Sequence, residues 1–231
     1  MRKIRLPGPF GLIPLLAVVT QLPAPLVAQG GASVSGKVTL MEKGEQPSSE
    51  VVQAVVWLTG ANATLAPPSS SEMATEGKQF VPHIRIVQRG SSISYPNHDP
   101  FNHNVFSLSA ERVFDLGLYG RGEAKAVEFG TEGVVRVYCN VHAQMRGLVL
   151  VLGSNLFTQP GSDGRFRIEG VAPGEYVLHA WHERAPMTSQ PLKVGDGAVT
   201  RVAVALDARG FRIVQHKDKE GKSYSDRIRR Y

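Results

Sequence analysis

The stretch VVRVYCNVHAQM, residues 134–145, joins a strand pattern to a group of metal-binding side chains. Its first five residues are mostly β-branched, which is typical of a β-strand. The strand runs directly into Cys139, His142 and Met145, and a second apolar run, 148–152, follows. Thiolate, imidazole and thioether belong to the ligand set that selects copper, with two imidazoles, one thiolate and a weak axial methionine. The stretch therefore predicts a loop between two strands that turns these three side chains toward one copper ion.

Such a site needs a second imidazole, and the segment YPNHDPFNHNVF, residues 95–106, contains two histidines. His103 begins a predicted strand, whereas His98 lies among the Pro, Asn and Asp residues of a turn. A ligand needs a position that the sheet holds in place. We therefore prefer His103 as the ligand and interpret His98 as a solvated turn residue, with His98 kept as the alternative.

The rest of the chain after residue 32 has the alternation and the Gly/Pro/Asn/Asp boundaries of an all-β protein. A strand spacing of about 8–12 residues favours sandwiches or barrels. Two breaks stand out, a Pro/Ser-rich stretch at 61–76 interpreted as a linker and a Gly-rich stretch at 153–164. Strands are predicted at 34–40, 51–58, 80–87, 93–95, 104–108, 126–129, 134–139, 148–152, 165–168, 176–181 and 199–206.

The single cysteine of the chain excludes an internal disulfide, zinc sites with two thiolates and ordinary iron–sulfur clusters. The net charge of +6 lies at the two ends, because residues 1–28 contribute +3 and residues 212–231 contribute +4. The remaining residues carry −1, so no basic face for a nucleic acid is predicted.

The first 30 residues have the pattern of a secretory signal peptide. Basic residues at the start precede an apolar run, 10–19, that is shorter than the roughly 20 residues of a spanning helix. We expect export to the periplasm or secretion, with no transmembrane span after signal removal; an uncleaved membrane anchor is the alternative. The basic residues 212–231 are interpreted as a mobile, solvated tail.

The region from Gln79 to Val151 resembles a cupredoxin, a mononuclear type 1 blue-copper domain, and its short Cys-x2-His-x2-Met loop is most similar to that of amicyanin. The resemblance implies one copper ion with the ligands His103, Cys139, His142 and Met145. It also implies that Asn104 forms a bond across to the second ligand loop.

The resemblance further implies one-electron transfer between a donor and an acceptor protein. His142 is then the point where electrons enter, inside an apolar patch that includes Phe101, Ala143 and Met145. We expect no enzymatic activity. A dinuclear copper electron-transfer centre needs a second cysteine in the loop, and copper oxidases and nitrite-reducing enzymes need further histidine clusters or a second copper domain. The histidines outside the site, His83, His179, His182 and His216, lack such spacing.

A second resemblance concerns the run from Asp163 to Trp181, which is similar to a carboxypeptidase-regulatory-like, prealbumin-like β-sandwich. Residues 34–58 resemble the opening strands of the same module. The predicted fold is therefore all-β, a cupredoxin Greek-key sandwich, 71–153, combined with a smaller and possibly discontinuous sandwich, 33–60 and 154–210. The alternative places 33–60 as extra strands of the copper domain.

The sequence thus predicts an exported electron-transfer protein with one type 1 copper. Two alternatives stay open: a copper-binding storage or delivery protein, and a non-redox sandwich that acts as an interaction or carbohydrate-binding-like module.

Overall fold

A computed structural model describes residues 32–44, 46–60, 62–197 and 199–224 of the 231-residue chain. The signal peptide predicted at 1–30 lies outside these residues. The all-β prediction is confirmed, since the described residues form seventeen strands and one short 3₁₀ helix, Ser49–Gln53. The strands are β1 Ala32–Met41, β2 Val55–Gly60, β3 Ser70–Glu72, β4 Ala74–Glu76, β5 Gln79–Val81, β6 Ile84–Gln88, β7 Ser91–Pro96, β8 His103–Ser109, β9 Arg112–Tyr119, β10 Ala124–Phe129, β11 Gly133–Cys139, β12 Arg146–Leu152, β13 Phe157–Thr158, β14 Arg165–Val171, β15 Gly174–His182, β16 Ala185–Val194 and β17 Val199–Asp207.

The structure differs from the predicted strands in several places. The predicted strand 80–87 is divided into β5 and β6, and the two-residue strand β13 was not predicted. Residues 51–53, predicted as strand, belong to the 3₁₀ helix, which begins after Ser48 because the Ser48 hydroxyl accepts a hydrogen bond from the Glu50 N–H. The predicted linker contains β3 and β4, whose backbone pairing needs no apolar side chains. The strands β9 and β16 were not predicted, because each is the last strand of its sheet and most of its side chains are at least partly exposed.

The strands form two sandwiches with separate cores. The sheets β14-β1-β17 and β13-β2-β15-β16 both contribute to the first core, and the sheets β10-β7-β3 and β6-β12-β11-β8-β9 to the second. In the first sandwich β1 pairs antiparallel with β14 and parallel with β17. Strands up to residue 60 therefore share sheets with strands from residue 157 onward. The division into two domains, and the carboxypeptidase-regulatory-like identity of the first sandwich, stay predictions.

A third apolar cluster joins the two sandwiches. It contains Trp57 and Trp181 from the first sandwich and Leu148, Leu150 and Leu152 from β12 of the second. Alternate residues of β12 point to opposite faces, so Val149 and Val151 lie in the core of the second sandwich. Because both faces of β12 are buried, this strand is a rigid base for the loop that precedes it.

Candidate metal centre

The β11–β12 hairpin builds the loop that carries three of the four predicted ligands. Tyr138 of β11 pairs with Arg146 of β12, and the Cys139 N–H donates to the Met145 carbonyl over 3.1 Å. Inside the loop the Met145 N–H donates to the His142 carbonyl over 3.0 Å. These bonds close the loop at its base and across its middle, so Cys139, His142 and Met145 have defined main-chain positions.

The neighbouring strand β8 supplies His103. Cys139 is paired with Val105 of β8, and the Asn140 N–H donates to the Asn104 carbonyl over 3.3 Å. The Cys139 Sγ lies 3.6 Å from the Nδ1 of His103 and 3.6 Å from the Nδ1 of His142. All three ligand atoms lie within 4.8 Å of one another, and no other group of three such residues is found in the part of the chain that the structure describes.

These separations fit a first-row metal ion. An ion about 2.3 Å from a thiolate sulfur and about 2.0 Å from an imidazole nitrogen, with an angle of about 115° between the bonds, separates the two atoms by about 3.6 Å. Both sulfur–nitrogen distances in the structure have this value. The donor set of one thiolate and two imidazoles is the one expected for a copper electron-transfer site.

The surroundings of Cys139 favour its thiolate form. Its side chain is fully buried, and burial alone would raise the pKa of the thiol. The contact with His103 and the backbone N–H groups of Asn104, Val141 and His142 outweigh burial and hold the pKa below its ordinary value. A metal ion binds the deprotonated sulfur, so a lowered pKa of the Cys139 thiol favours metal binding.

Asp99 orients the buried ring of His103 and was not predicted as a site residue. Its carboxylate contacts the His103 Nε2 at 2.8 Å and accepts hydrogen bonds from the N–H groups of Gly77 and Lys78. A proton on Nε2 leaves the Nδ1 lone pair free toward Cys139. Burial alone would lower the pKa of His103, but its contacts with Cys139 and Asp99 raise it. The only sequence signal was the spacing of four residues between the carboxylate and the imidazole.

The surface near His142 differs in two respects from the expected apolar patch. Phe101 meets the rings of His103 and His142 edge-on, at centroid distances of 5.3 and 5.4 Å, and is partly exposed. Met145, in contrast, is 1% exposed, so it belongs to the core and is not a surface residue. Val141, which was not included, is 46% exposed. Burial and the charges of His103 and Lys78 lower the pKa of His142.

Asn104 reaches the Cys139 loop through its main chain. Its carbonyl accepts from the Asn140 N–H, and its own N–H helps to lower the pKa of the Cys139 thiol. Its side-chain amide instead donates to Asp115 Oδ1 over 2.5 Å. The alternative ligand His98 is exposed and lies outside the three-residue group.

The other histidines have different surroundings. His179 contacts Thr59 and Ser189, each at 2.8 Å, and stacks on Trp57. His83 contacts Glu183 at 2.8 Å.

The described part of the predicted solvated tail contacts the second sandwich. Asp218 and Tyr224 are only 1% and 9% exposed, and the Tyr224 hydroxyl donates to the Cys139 carbonyl over 2.7 Å. The prediction of a fully solvated tail is therefore wrong for these residues. The contact joins residues 85 positions apart, and a composition rich in Lys and Arg does not reveal it.

Part of this chain is similar to several solved structures. A purple cupredoxin from Nitrosopumilus maritimus is 23% identical over 36% of this chain and 99% of that chain, with a TM-score of 0.33. A copper-containing nitrite reductase from Thermus scotoductus SA-01 is 20% identical over 41% of this chain and 25% of that chain, with a TM-score of 0.35. A reduced amicyanin variant is 17% identical over 42% of this chain and 98% of that chain, with a TM-score of 0.34.

The sequence matches no protein-family model and no curated protein. Among the described residues, no helix is long and apolar enough to cross a membrane.

Proposed function

We propose that the protein is an exported, non-enzymatic carrier of single electrons with one type 1 copper ion, acting in the periplasm or outside the cell. The observation that supports the proposal is the convergence of the His103 Nδ1, the Cys139 Sγ and the His142 Nδ1 at separations suited to a first-row ion. Met145, buried in the same core as Cys139, would complete the ligand set for the ion. The partners are a donor and an acceptor protein, with no nucleic acid involved.

When bound, copper supplies a one-electron couple, and the chain keeps its ligands in place in both oxidation states. The Cys139 main chain is held between β12 and β8, and Asp99 holds the His103 ring. Small rearrangement of the ligands on electron transfer favours fast exchange. The buried Met145 side chain helps to exclude water from one side of the site.

The exposed edge of the site indicates where electrons enter. His103 is fully buried, whereas His142 is partly exposed beside Phe101 and Val141. We propose His142 as the ligand that faces the redox partners. A small contact area of this kind suits brief encounters between proteins.

The visible spectrum of the Cu(II)-loaded protein tests the proposal. We expect one copper per chain, an intense charge-transfer band from the Cys139 thiolate, and reversible one-electron electrochemistry. Cys139→Ser should abolish the band, and His103→Ala should disrupt it, whereas His98→Ala is the matched control and should leave it unchanged. A protein that binds copper without colour or redox cycling would favour storage or delivery and contradict the proposal.

Copper binding and the visible spectrum also test the second alternative, an interaction module without a redox function. A sandwich that serves only as an interaction module should bind copper no better in the wild type than in Cys139→Ser. Loss of the band in His98→Ala, with the band retained in His103→Ala, would make His98 the ligand.

A further inference from the structure

The C-terminal segment Phe211–Tyr224, called the strap below, lies against the loop that carries Cys139. The strap leaves the first sandwich after β17, where the Phe211 N–H donates to the Ala208 carbonyl over 3.0 Å. Ile213 and Val214 are 75% and 81% exposed, so the strap crosses this part of the surface with little apolar contact. Its closest contacts lie further along, at the copper-ligand loop.

The first contact is a ring stack next to Cys139. The His216 ring lies on the Tyr138 ring, with centroids 4.3 Å apart and planes 22° apart. Tyr224 meets the same His216 ring edge-on at 5.1 Å. The His216 Nδ1 also lies 3.5 Å from the Tyr224 hydroxyl.

The second contact reaches Cys139 itself. The Tyr224 hydroxyl donates to the Cys139 carbonyl over 2.7 Å, in a buried position. A buried carbonyl left without a donor is costly, so this bond restrains the peptide group that follows the thiolate. The backbone N–H of Lys219 donates to the Asn140 side chain over 3.1 Å, one residue further on.

The third contact links the strap to the strand that carries His103. Lys219 Nζ lies 2.7 Å from Asp115 Oδ2, and Asp115 Oδ1 accepts from the Asn104 amide over 2.5 Å. Asn104 directly follows His103. The strap is therefore connected to both ligand-bearing strands, directly on the Cys139 side and through Asp115 on the His103 side.

An internal turn holds these contacting residues in position. The Asp218 carboxylate accepts from the N–H groups of Glu220 and Lys222 over 3.0 and 2.7 Å. Gly221 occupies the turn with a φ of +77°, a conformation that favours glycine. With Asp218 1% exposed, the turn is a folded part of the strap.

We propose that the strap is a positioning element of the copper site, with Tyr224 as the positioning residue that fixes the Cys139 loop. The inference rests on the proposed copper function for its spectroscopic consequence. Its effect on the Cys139 thiol is independent of copper. Without the Tyr224 hydroxyl, the peptide group after Cys139 can move. The Cys139 thiol is then exposed to solvent more often, and the position of its sulfur relative to the other ligand atoms varies more.

The substitution Tyr224→Phe tests this with the loss of a single oxygen atom. The matched control is Tyr176→Phe, because the Tyr176 hydroxyl also donates to a backbone carbonyl, that of Ala172 at 2.8 Å, but lies in the core of the first sandwich. Urea unfolding and circular dichroism of both full-length variants show whether each remains folded.

Two measurements distinguish a positioning role of Tyr224 from a general effect on the stability of the protein. In the copper-free protein, the only thiol is Cys139. Its rate of reaction with a thiol reagent in native buffer should rise about fivefold in Tyr224→Phe, and stay unchanged in Tyr176→Phe. In the Cu(II)-loaded protein, the charge-transfer band and the electron-paramagnetic-resonance copper coupling should change in Tyr224→Phe alone, with copper affinity reduced about tenfold.

The outcomes are decisive in either direction. Equal thiol reactivity and equal spectra in the two variants would overturn the role of the strap, even if both are destabilised. A wild type that fails to show a type 1 spectrum would contradict the proposed function, while the thiol measurement on the copper-free protein still tests the strap. If Tyr224→Phe is unfolded by circular dichroism, His216→Ala, which removes the stack on Tyr138, should raise thiol reactivity in the same direction, and an unchanged rate would overturn the proposal.

Discussion

The apolar contact between the two sandwiches should contribute strongly to the stability of the whole protein, and Leu150→Ala tests this. Leu150 is 3% exposed and lies in the cluster with Trp57 and Trp181. Removing three carbon atoms costs about 2.4 kcal/mol in transfer free energy. A residual cavity of about 40 Å³ adds about 1 kcal/mol, so the free energy of unfolding should fall by about 3.5 kcal/mol.

Urea unfolding of the copper-free protein measures this change in the free energy of unfolding. The chain has two tryptophans, and both lie in the cluster between the sandwiches, so tryptophan fluorescence follows this contact directly. Far-UV circular dichroism follows the strands of both sandwiches. With a slope of about 2.5 kcal/mol per molar urea, the midpoint should fall by about 1.4 M.

Leu108→Ala is the matched control, because the same substitution is made on β8 at a side chain that is 55% exposed. It should change the free energy of unfolding by less than about 0.5 kcal/mol. The reasoning is refuted if Leu150→Ala costs no more than this control. It is also refuted if fluorescence changes long before circular dichroism in the wild type, because the contact would then open without unfolding the sandwiches.

Three further changes have directions that the structure determines. In Gly36→Ala the new Cβ would overlap the Val202 carbonyl oxygen of the paired strand, so the midpoint of urea unfolding should fall by the equivalent of about 2 kcal/mol; an unchanged midpoint would contradict the β1–β17 pairing. Burial alone would raise the pKa of Glu183, but its hydrogen bond with His83 and nearby positive charges lower it. The ionised carboxylate therefore stabilises the fold above its unfolded pKa, and this contribution is lost as pH falls through the lower folded pKa. Stability measured against pH in the acid range should fall less steeply in Glu183→Gln; identical slopes would contradict the assignment. Tyr95 is fully buried and its hydroxyl has no hydrogen-bond partner among the described residues, so Tyr95→Phe should leave the thermal midpoint equal or higher, and a clear decrease would show that the hydroxyl is bonded.

The local part of the candidate site could be predicted from the sequence because its chemistry is local. Cys139, His142 and Met145 lie within seven residues, and a strand on each side restricts the loop to a hairpin. His103 could be preferred to His98 because one begins a strand and the other lies in a turn, and the structure places His103 with the other two ligand atoms. That these residues bind copper stays a prediction.

The supporting residues could not be predicted because they depend on contacts between distant segments. Asp99 orients His103 only after the turn around Gly77 and Lys78 folds onto it. The strap contact from Tyr224 to Cys139 spans 85 positions, and its residues have the composition of a solvated tail.

The sequence by itself determined the all-β class, because alternation of side chains is a property of each strand alone. It also determined the ligand types, because thiolate and imidazole chemistry belongs to the residues themselves. Only the tertiary structure decided which strands are neighbours, since backbone hydrogen bonds pair strands such as β1 and β17 without regard to their separation along the chain. The tertiary structure also decided that Leu150 packs between the two sandwiches and that Val149 lies in the core of the second sandwich. Both faces of the strand β12 are apolar, and only the elements packed on each face distinguish them.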